Sequence, residues 1–294
     1  MKKILITGAK GQLGTAIQKI SSHLSGFHFT ATDVDNLNIT NASEIQEFIA
    51  VTKPDFIINC AGYTAVDQAE TDIDKAFLLN SKAVGLLSDE ARKANARLIH
   101  ISTDFVFQGD GHSPLTEDDP TNPLSVYGKS KEEGEKRIAG QEHVMIIRTS
   151  WLYSAYGKNF FKTIWRLSDE RNEIQVINDQ TGTPTLANDL AGAILNIVEK
   201  NSVNPDIFKA GVYHYSNEGS CTWYEFAREI VNLSQHPCEV KPVSTESFPL
   251  PAPRPAYSVM DKSKIKETYG LEIPAWKTSL IKCFEEYKYI ISNE

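Results

Sequence analysis

The sequence predicts an α/β protein, a doubly wound parallel sheet with a smaller C-terminal α+β lobe. Two observations carry this. Short, continuous apolar runs alternate with helically periodic segments through the first half of the chain, the arithmetic of a parallel sheet covered on both faces. The first of those runs also ends in a glycine-rich turn that opens straight into an amphipathic helix. With 294 residues, the chain is long enough for two domains or for one large layer with an appended lobe.

Taken in order, Ile4, Leu5 and Ile6 form the first strand, ending at Thr7-Gly8. Leu13, Ile17, Ile20 and Leu24 follow at spacings of four, three and four, so they share one helical face. Residues 27–33 read as a second strand, 55–60 as a later one, and 97–103 and 144–150 as two more. Between them, residues 72–96 and 126–138 carry helical periodicity rich in Ala, Leu, Lys and Glu. After about residue 151 the pattern loosens into turn-rich 178–184 and proline-dense 248–255. Thr222-Trp223-Tyr224-Glu225 is a capping-box pattern, opening a helix that runs to about Leu233.

Composition narrows the function. Hydrophobic residues make up 41% and charged residues 23%, an ordinary globular balance, and the net charge is −8. An acidic chain without a basic run has no means of neutralising a phosphate backbone, so nucleic acid is not an expected partner. Cys60, Cys221, Cys238 and Cys283 form no C-x-x-C pair and have no close His partner of zinc-site type, which argues against a disulfide framework or a structural metal. The basic start is followed by an apolar run too short for a signal core, and no window reaches the length of a membrane span. A cytoplasmic, reduced protein is expected.

The turn after the first strand, Gly8-Ala9-Lys10-Gly11-Gln12-Leu13-Gly14, suits a dinucleotide. Glycine permits the tight turn, the close approach of backbone to a pyrophosphate and the packing of helix on strand, while the free amides of the helix start favour the anion. Nineteen residues past Gly14, Asp33 closes the second strand, where an acid would accept a hydrogen bond from the adenosine ribose and favour NAD. Lys10 argues the other way, since an ammonium there suits the 2′-phosphate of NADP, so the choice between NAD(H) and NADP(H) stays open. Residues 1–152 are therefore read as a dinucleotide-binding domain of Rossmann type, completed by part of 174–200, and residues 153–294 mainly as a substrate-binding lobe.

Tyr127 and Lys131 lie four residues apart on one helix and thus on one face, and no other tyrosine of this chain has a lysine four places on. A cation beside a phenol stabilises the phenolate and draws its pKa toward neutrality, making an acid/base device for a carbonyl oxygen. Ser102-Thr103-Asp104 closes the strand before it, at the carboxyl end of the sheet where such folds bind ligands.

With these residues in place, the sequence resembles the extended short-chain dehydrogenase/reductase superfamily and, within it, the dTDP-4-dehydrorhamnose reductases. The resemblance runs through the glycine turn, Asn59-Cys60-Ala61-Gly62-Tyr63-Thr64-Ala65-Val66-Asp67, Ser102-Thr103-Asp104-Phe105-Val106-Phe107 and Tyr127-Gly128-Lys129-Ser130-Lys131. It continues in Arg148-Thr149-Ser150-Trp151-Leu152-Tyr153, Asp179-Gln180-Thr181-Gly182-Thr183-Pro184-Thr185 and Arg254-Pro255, so it covers nearly the whole chain. It implies that Gly8, Gly11, Gln12, Leu13 and Gly14 hold the cofactor pyrophosphate, that Asp33, Asn38 and Ile39 flank the adenosine, and that Ala61, Gly62 and Tyr63 line the cofactor after the fourth strand. Thr103, Tyr127 and Lys131 would be catalytic, the last two also touching the cofactor. Thr103 and Asp104 would touch the sugar, Trp151 would lie against the sugar nucleotide, and Arg254 would meet the diphosphate.

The implied reaction is reduction of dTDP-4-dehydro-L-rhamnose to dTDP-L-rhamnose by hydride from NAD(P)H, in nucleotide-sugar and cell-surface polysaccharide biosynthesis, by a monomer or homodimer. An epimerase or dehydratase of the same superfamily, or a regulatory subunit like that of methionine adenosyltransferase, would share much of the pattern. The chain departs from its relatives at Asn38, where many carry Asp, and at Phe105, where some carry Tyr. Certain relatives bind magnesium through glutamates at a dimer contact; Thr15 stands where one of those acids is expected, and no metal is assigned. His100 and His214 read as buried, satisfied histidines, Glu117-Asp118-Asp119 as a solvated loop, and Trp223 and Tyr224 as lobe packing.

Overall fold

A computed structural model describes residues 1–293. β1 (Lys2–Thr7) feeds α1 (Gln12–Ser21), followed by β2 (Phe27–Ala31), α2 (Ala42–Thr52) and β3 (Phe56–Asn59). Two short helices, α3 (Val66–Ala69) and α4 (Ile73–Phe77), lead through a π-helical stretch at Leu78–Lys82 into α5 (Ala83–Lys93). β4 (Arg97–Thr103), α6 (Val126–Ile138) and β5 (Val144–Thr149) complete the first run of the chain. Beyond it come β6 (Leu152–Tyr153), α7 (Phe160–Glu170), β7 (Glu173–Ile177), β8 (Thr181–Gly182), β9 (Thr185–Leu186), α8 (Ala187–Val203) and β10 (Gly211–His214). The last segments are β11 (Cys221–Thr222), α9 (Trp223–Ser234), β12 (Glu239–Val243), α10 (Ser263–Tyr269) and α11 (Trp276–Ile291).

The main sheet is six-stranded in the order β10-β5-β4-β3-β1-β2, with every pairing parallel. From β1 the chain winds one way to β2 and the other way through β3, so a crevice opens above the carboxyl ends of β1 and β3. Strand alternation fills both faces. Leu5, Ile57, Leu98 and Ile146 pack with the α2, α5 and α6 side, while Ile4, Ile6, Phe56, Ile58, Ile99, Met145 and Ile147 pack with α1 and α8. Strands buried on two sides have no need of polar alternation, which is why they read as apolar runs.

Two sequence expectations shift. β2 stops at Ala31, so Asp33 stands in the loop beyond it. Residues 56–59 are the third strand of the chain and not a fourth, and Ala61, Gly62 and Tyr63 therefore follow β3. α8 packs on the main sheet beside α1, and the chain then adds β10 to that sheet, paired with β5 at its edge. This strand, Gly-Val-Tyr-His, is too short and too mixed to announce itself by periodicity. The remaining lobe packs α7, α9 and α11 with the β7/β12 pair around Tyr153, Phe161, Phe226 and Trp276. Its expected capping box is present, with Thr222 accepting from Glu225 N at 3.1 Å and the Glu225 carboxylate accepting from Thr222 N at 2.8 Å.

α6 lies unusually close to its neighbours. A Cβ on Gly134 would stand 2.0 Å from the Asn80 carbonyl oxygen, and one on Gly128 2.3 Å from the Phe105 carbonyl. Gly134→Ala must push backbone against backbone and should cost about 1–3 kcal/mol in urea unfolding. Gly192→Ala, in α8 with open space around it, should instead gain up to ~1 kcal/mol through helix propensity. Equal effects would refute the close-packing account.

Candidate active site

Gly8 takes φ +65°, and a Cβ there would lie 2.6 Å from Ala61 N, so β1 and the segment after β3 meet backbone to backbone. No side chain caps α1 and no acid lies in its first turn, which leaves its leading amides for an anion. This cradle fits a dinucleotide pyrophosphate. Leu13 is buried in the core, so only its backbone faces the turn. Gln12 extends its side chain toward the lobe, donating to Leu152 O at 3.3 Å and accepting from Ser154 Oγ at 3.0 Å and Asn159 Nδ2 at 2.8 Å.

At the adenosine end, Asp33 Oδ2 accepts from Lys10 N at 2.9 Å and thereby clips the glycine turn. The Lys10 ammonium pairs with Asp35, whose hydrogen bond raises its pKa. Asn38 Oδ1 accepts from Thr40 N at 3.0 Å and Thr40 Oγ1 at 2.7 Å, folding over its own loop. Ile39 packs its side chain in the core, so only its backbone is left for a cofactor.

α6 presents to the protein interior Tyr127, Ser130, Lys131, Gly134, Glu135 and Ile138, all buried, at helical spacing. A core-facing stripe is normally apolar; this one is polar over most of its length. Ser125 caps its start, accepting from Gly128 N at 3.1 Å. Asn80, on the π-helical stretch, brackets the segment after β3: it accepts from Tyr63 N at 2.8 Å and donates to Tyr63 O and Ser130 Oγ, each at 3.0 Å. Glu135 takes Arg148 in a buried pair, with Nη2 to Oε2 at 2.7 Å. Lys131 Nζ donates to Ile101 O at 2.6 Å. Burial pushes the Lys131 ammonium down to about 8, against the pull of Glu135.

The Tyr127 phenol is pushed up to about 12 by burial, with a Thr103 hydrogen bond lowering it and the Asp104 charge adding to it. Here the structure corrects the expectation that Lys131 draws the phenol toward neutrality. The lysine is turned onto the Ile101 carbonyl, and desolvation dominates the phenol. Tyr127 is therefore held protonated, the state a proton donor needs. Thr103 Oγ1 donates to Asp104 Oδ1 at 3.0 Å and accepts from Phe105 N at 3.2 Å, which places both residues where β4 ends. Burial pushes the Asp104 carboxyl up to about 6, against hydrogen bonds from Ser258 and Thr103.

Across the crevice, Trp151 adopts left-handed φ +47° and stacks on Trp223 with centroids 3.5 Å apart and planes within 9°. Gly182 leaves room for the indole edge, since a Cβ there would come within 2.6 Å. Trp223, expected to pack the lobe, does so against the residue assigned to the sugar nucleotide. Arg254 is not open to a diphosphate as it stands. Its guanidinium grips both oxygens of Asp67, at 2.9 and 2.8 Å, and Nη1 donates to Ala252 O at 2.6 Å. His214 is buried and held neutral, its pKa pushed down to about 3 by burial and Arg148. Glu117 is more than a solvated loop residue, since it accepts from His214 N at 2.9 Å and braces the edge strand. Asn80 and Glu135 escaped the sequence reading, and Arg148 entered it only within a block that carries the resemblance; the one available signal was a helix whose inward stripe is polar.

The main sheet, its glycine turn and the Tyr127-Lys131 face at the carboxyl end of β4 define an oxidoreductase of the extended short-chain dehydrogenase/reductase class. The family model described as RmlD substrate binding domain matches residues 1–289. A dTDP-4-dehydrorhamnose reductase of Aggregatibacter actinomycetemcomitans is 38% identical over 95% of this chain and 97% of its own length. Among solved structures, a dTDP-4-dehydrorhamnose reductase of Clostridium acetobutylicum superposes with TM-score 0.91 at 39% identity, covering 97% of this chain and 99% of that one. The reductase of Bacillus anthracis in complex with NADP gives TM-score 0.90 at 39% identity, covering 97% and 100%. The chain belongs to the RmlD family of dTDP-4-dehydrorhamnose reductases.

Asp104 offers a test of the site's electrostatics. Its folded pKa of about 6 stands above the ordinary 3.8, so the native state holds its proton more tightly than the unfolded chain. Its contribution to stability is therefore greatest at low pH and declines as pH rises between those two values. Asp104→Asn, which cannot ionise, should stabilise the fold by about 1–3 kcal/mol at pH 8 and by nothing near pH 3.5. A gain independent of pH in thermal unfolding would refute the buried-carboxylate account.

Proposed function

We propose that this chain reduces the C4 carbonyl of dTDP-4-dehydro-L-rhamnose to give dTDP-L-rhamnose, in the cytoplasm, as a step of nucleotide-sugar and cell-surface polysaccharide biosynthesis. The observation that carries the chemistry is the placement of the Tyr127 phenol, buried against Thr103 at the carboxyl end of β4 with Lys131 one turn further along the same helix. A nicotinamide dinucleotide supplies the hydride. Tyr127 gives its proton to the sugar oxygen as the alcohol forms, and Thr103 hydrogen-bonds that oxygen and polarises the carbonyl. Lys131 holds the nicotinamide ribose.

The amides at Gly11, Gln12 and Leu13 hold the pyrophosphate, and Asp33 and Asn38 border the adenosine. Trp151, fixed from behind by Trp223, offers an aromatic surface to the sugar nucleotide. Arg254 serves the diphosphate by exchanging its Asp67 carboxylate for phosphate oxygens, a like-for-like swap of bidentate anions.

Supplying dTDP-4-keto-6-deoxy-L-mannose with NADPH and with NADH should consume one nicotinamide per sugar and yield dTDP-L-rhamnose. An isomerised sugar without net oxidation of cofactor would mean an epimerase instead. Tyr127→Phe should lower kcat by roughly 10²- to 10⁴-fold with NADPH Kd changed by less than about threefold, since the general acid acts on the reacting oxygen. Trp151→Ala should raise the KM for the sugar nucleotide about tenfold, the worth of one aromatic contact, with kcat little altered. An unchanged KM would remove the indole from the binding surface.

A further inference from the structure

Behind Lys131 lies a buried titratable group that the reaction above does not use. His100 is fully buried on β4, on the same strand face as Leu98 and therefore toward α6. It belongs to a line of polar contacts running from β1 to the active-site lysine. Thr7 Oγ1 donates to Asn59 Oδ1 at 2.6 Å, Asn59 Nδ2 meets His100 Nδ1 at 3.0 Å, and His100 Nε2 stands 3.4 Å from Lys131 Nζ.

The proton on this histidine can be placed by elimination. Ala61 N also points at Asn59 Oδ1, at 3.2 Å. A backbone N–H can only donate, so the Asn59 atom it faces is the oxygen and the atom facing His100 is the amide nitrogen. Nδ1 must accept, and the single proton of the neutral ring sits on Nε2, aimed at Lys131. Against an ammonium that N–H is donor against donor; against an amine it is a hydrogen bond.

We infer that His100 is a positioning residue of the cofactor site: through a tautomer locked by Asn59, it directs an N–H at Lys131 Nζ and favours the neutral amine until the dinucleotide binds. Of the groups around Lys131, the Ile101 carbonyl takes one donor and Gly62 stands beside it across the crevice. Tyr127 lies one turn back on α6. Glu135, one turn on, favours the charged form but is spent on Arg148. Burial and Lys131 itself hold the His100 ring well below its usual range, so it stays neutral. The position of Lys131 at about 8 brings its change of charge into the working range. A pyrophosphate dianion near the site favours the ammonium, so one proton passes from solvent to Lys131 as the cofactor docks.

The inference rests on the assignment of Lys131 to the cofactor site, and the test separates the two. In wild type, kcat/KM for NADPH should fall above about pH 8 as Lys131 loses its proton in the free enzyme. His100→Asn keeps an acceptor for Asn59 but is too short to reach Lys131, whereas His100→Gln sets an amide N–H near the place of Nε2. The falling limb should move up by about one pH unit in the Asn variant, a tenfold change in the ionisation constant, and stay near wild type in the Gln variant. An unmoved limb in His100→Asn, equal shifts in both variants, or a loss uniform across pH would overturn the inference.

Wild type supplies a second readout that needs neither variant to fold. Calorimetric titration of NADPH at pH 8.5, in two buffers of different ionisation enthalpy, should register proton uptake, and its absence would equally overturn the inference. Lys131→Met is the control. If it keeps both the affinity and the alkaline limb, the assignment of Lys131 fails; if it loses them while His100→Asn matches wild type, only the role of His100 fails.

Discussion

The structure depends on one constraint: α6 must carry a phenol, a lysine amine and a carboxylate into the interior, and each has to be satisfied there. Desolvation of such groups costs several kcal/mol apiece unless partners are built around them. The partners are specific. Glu135 is met by the Arg148 fork, Lys131 by the Ile101 carbonyl and Ser130 by Asn80, while Tyr127 meets Thr103. None of this is reachable unless the helix lies almost in contact with its neighbours, which is what Gly128 and Gly134 allow. The two glycines cost helix propensity and return a buried polar face.

From that face the rest of the site follows. Asn80 ties the segment after β3 to α6, the segment after β3 touches Gly8, and the turn at Gly8 starts the uncapped α1. Cofactor cradle and acid/base pair are thus parts of one packed unit at the carboxyl edge of the sheet. The clefts at the opposite edge, one beside Arg97 and His143 and another beside Lys2 and Asp55, have no such convergence of buried polar groups. The lobe joins this unit through definite contacts, among them Gln12 to Asn159, Arg254 to Asp67, and Trp151 seated on Trp223.

Much of this was legible in the residues. The strands at 97–103 and 144–149, the helix at 126–138 and the capping box at Thr222 follow from apolar runs, helical spacing and cap chemistry, all of which are local. The glycine turn was legible for the same reason, because a strand, a tight turn and a helix start are adjacent in sequence. What was not legible lies across long separations. Asn80 and Ser130 are 50 positions apart, Arg254 and Asp67 187 apart, and nothing local in either partner announces the other. β10 joined the sheet unannounced because four residues cannot display a period. The phenol pKa was misjudged because the spacing of Tyr127 and Lys131 shows that they share a face, but not that the ammonium turns toward a strand carbonyl.

The sequence by itself determined the class of fold, the order of its elements and which side chains bear the chemistry, since these rest on periodicity and on residue type. Tertiary structure alone decided how the groups are charged and what each is bound to: a neutral, tautomer-locked His100, a protonated Tyr127, a guanidinium held by Asp67. The physical reason is that ionisation and hydrogen bonding in an interior are set by which neighbours replace water, and those neighbours arrive from distant parts of the chain only when it folds.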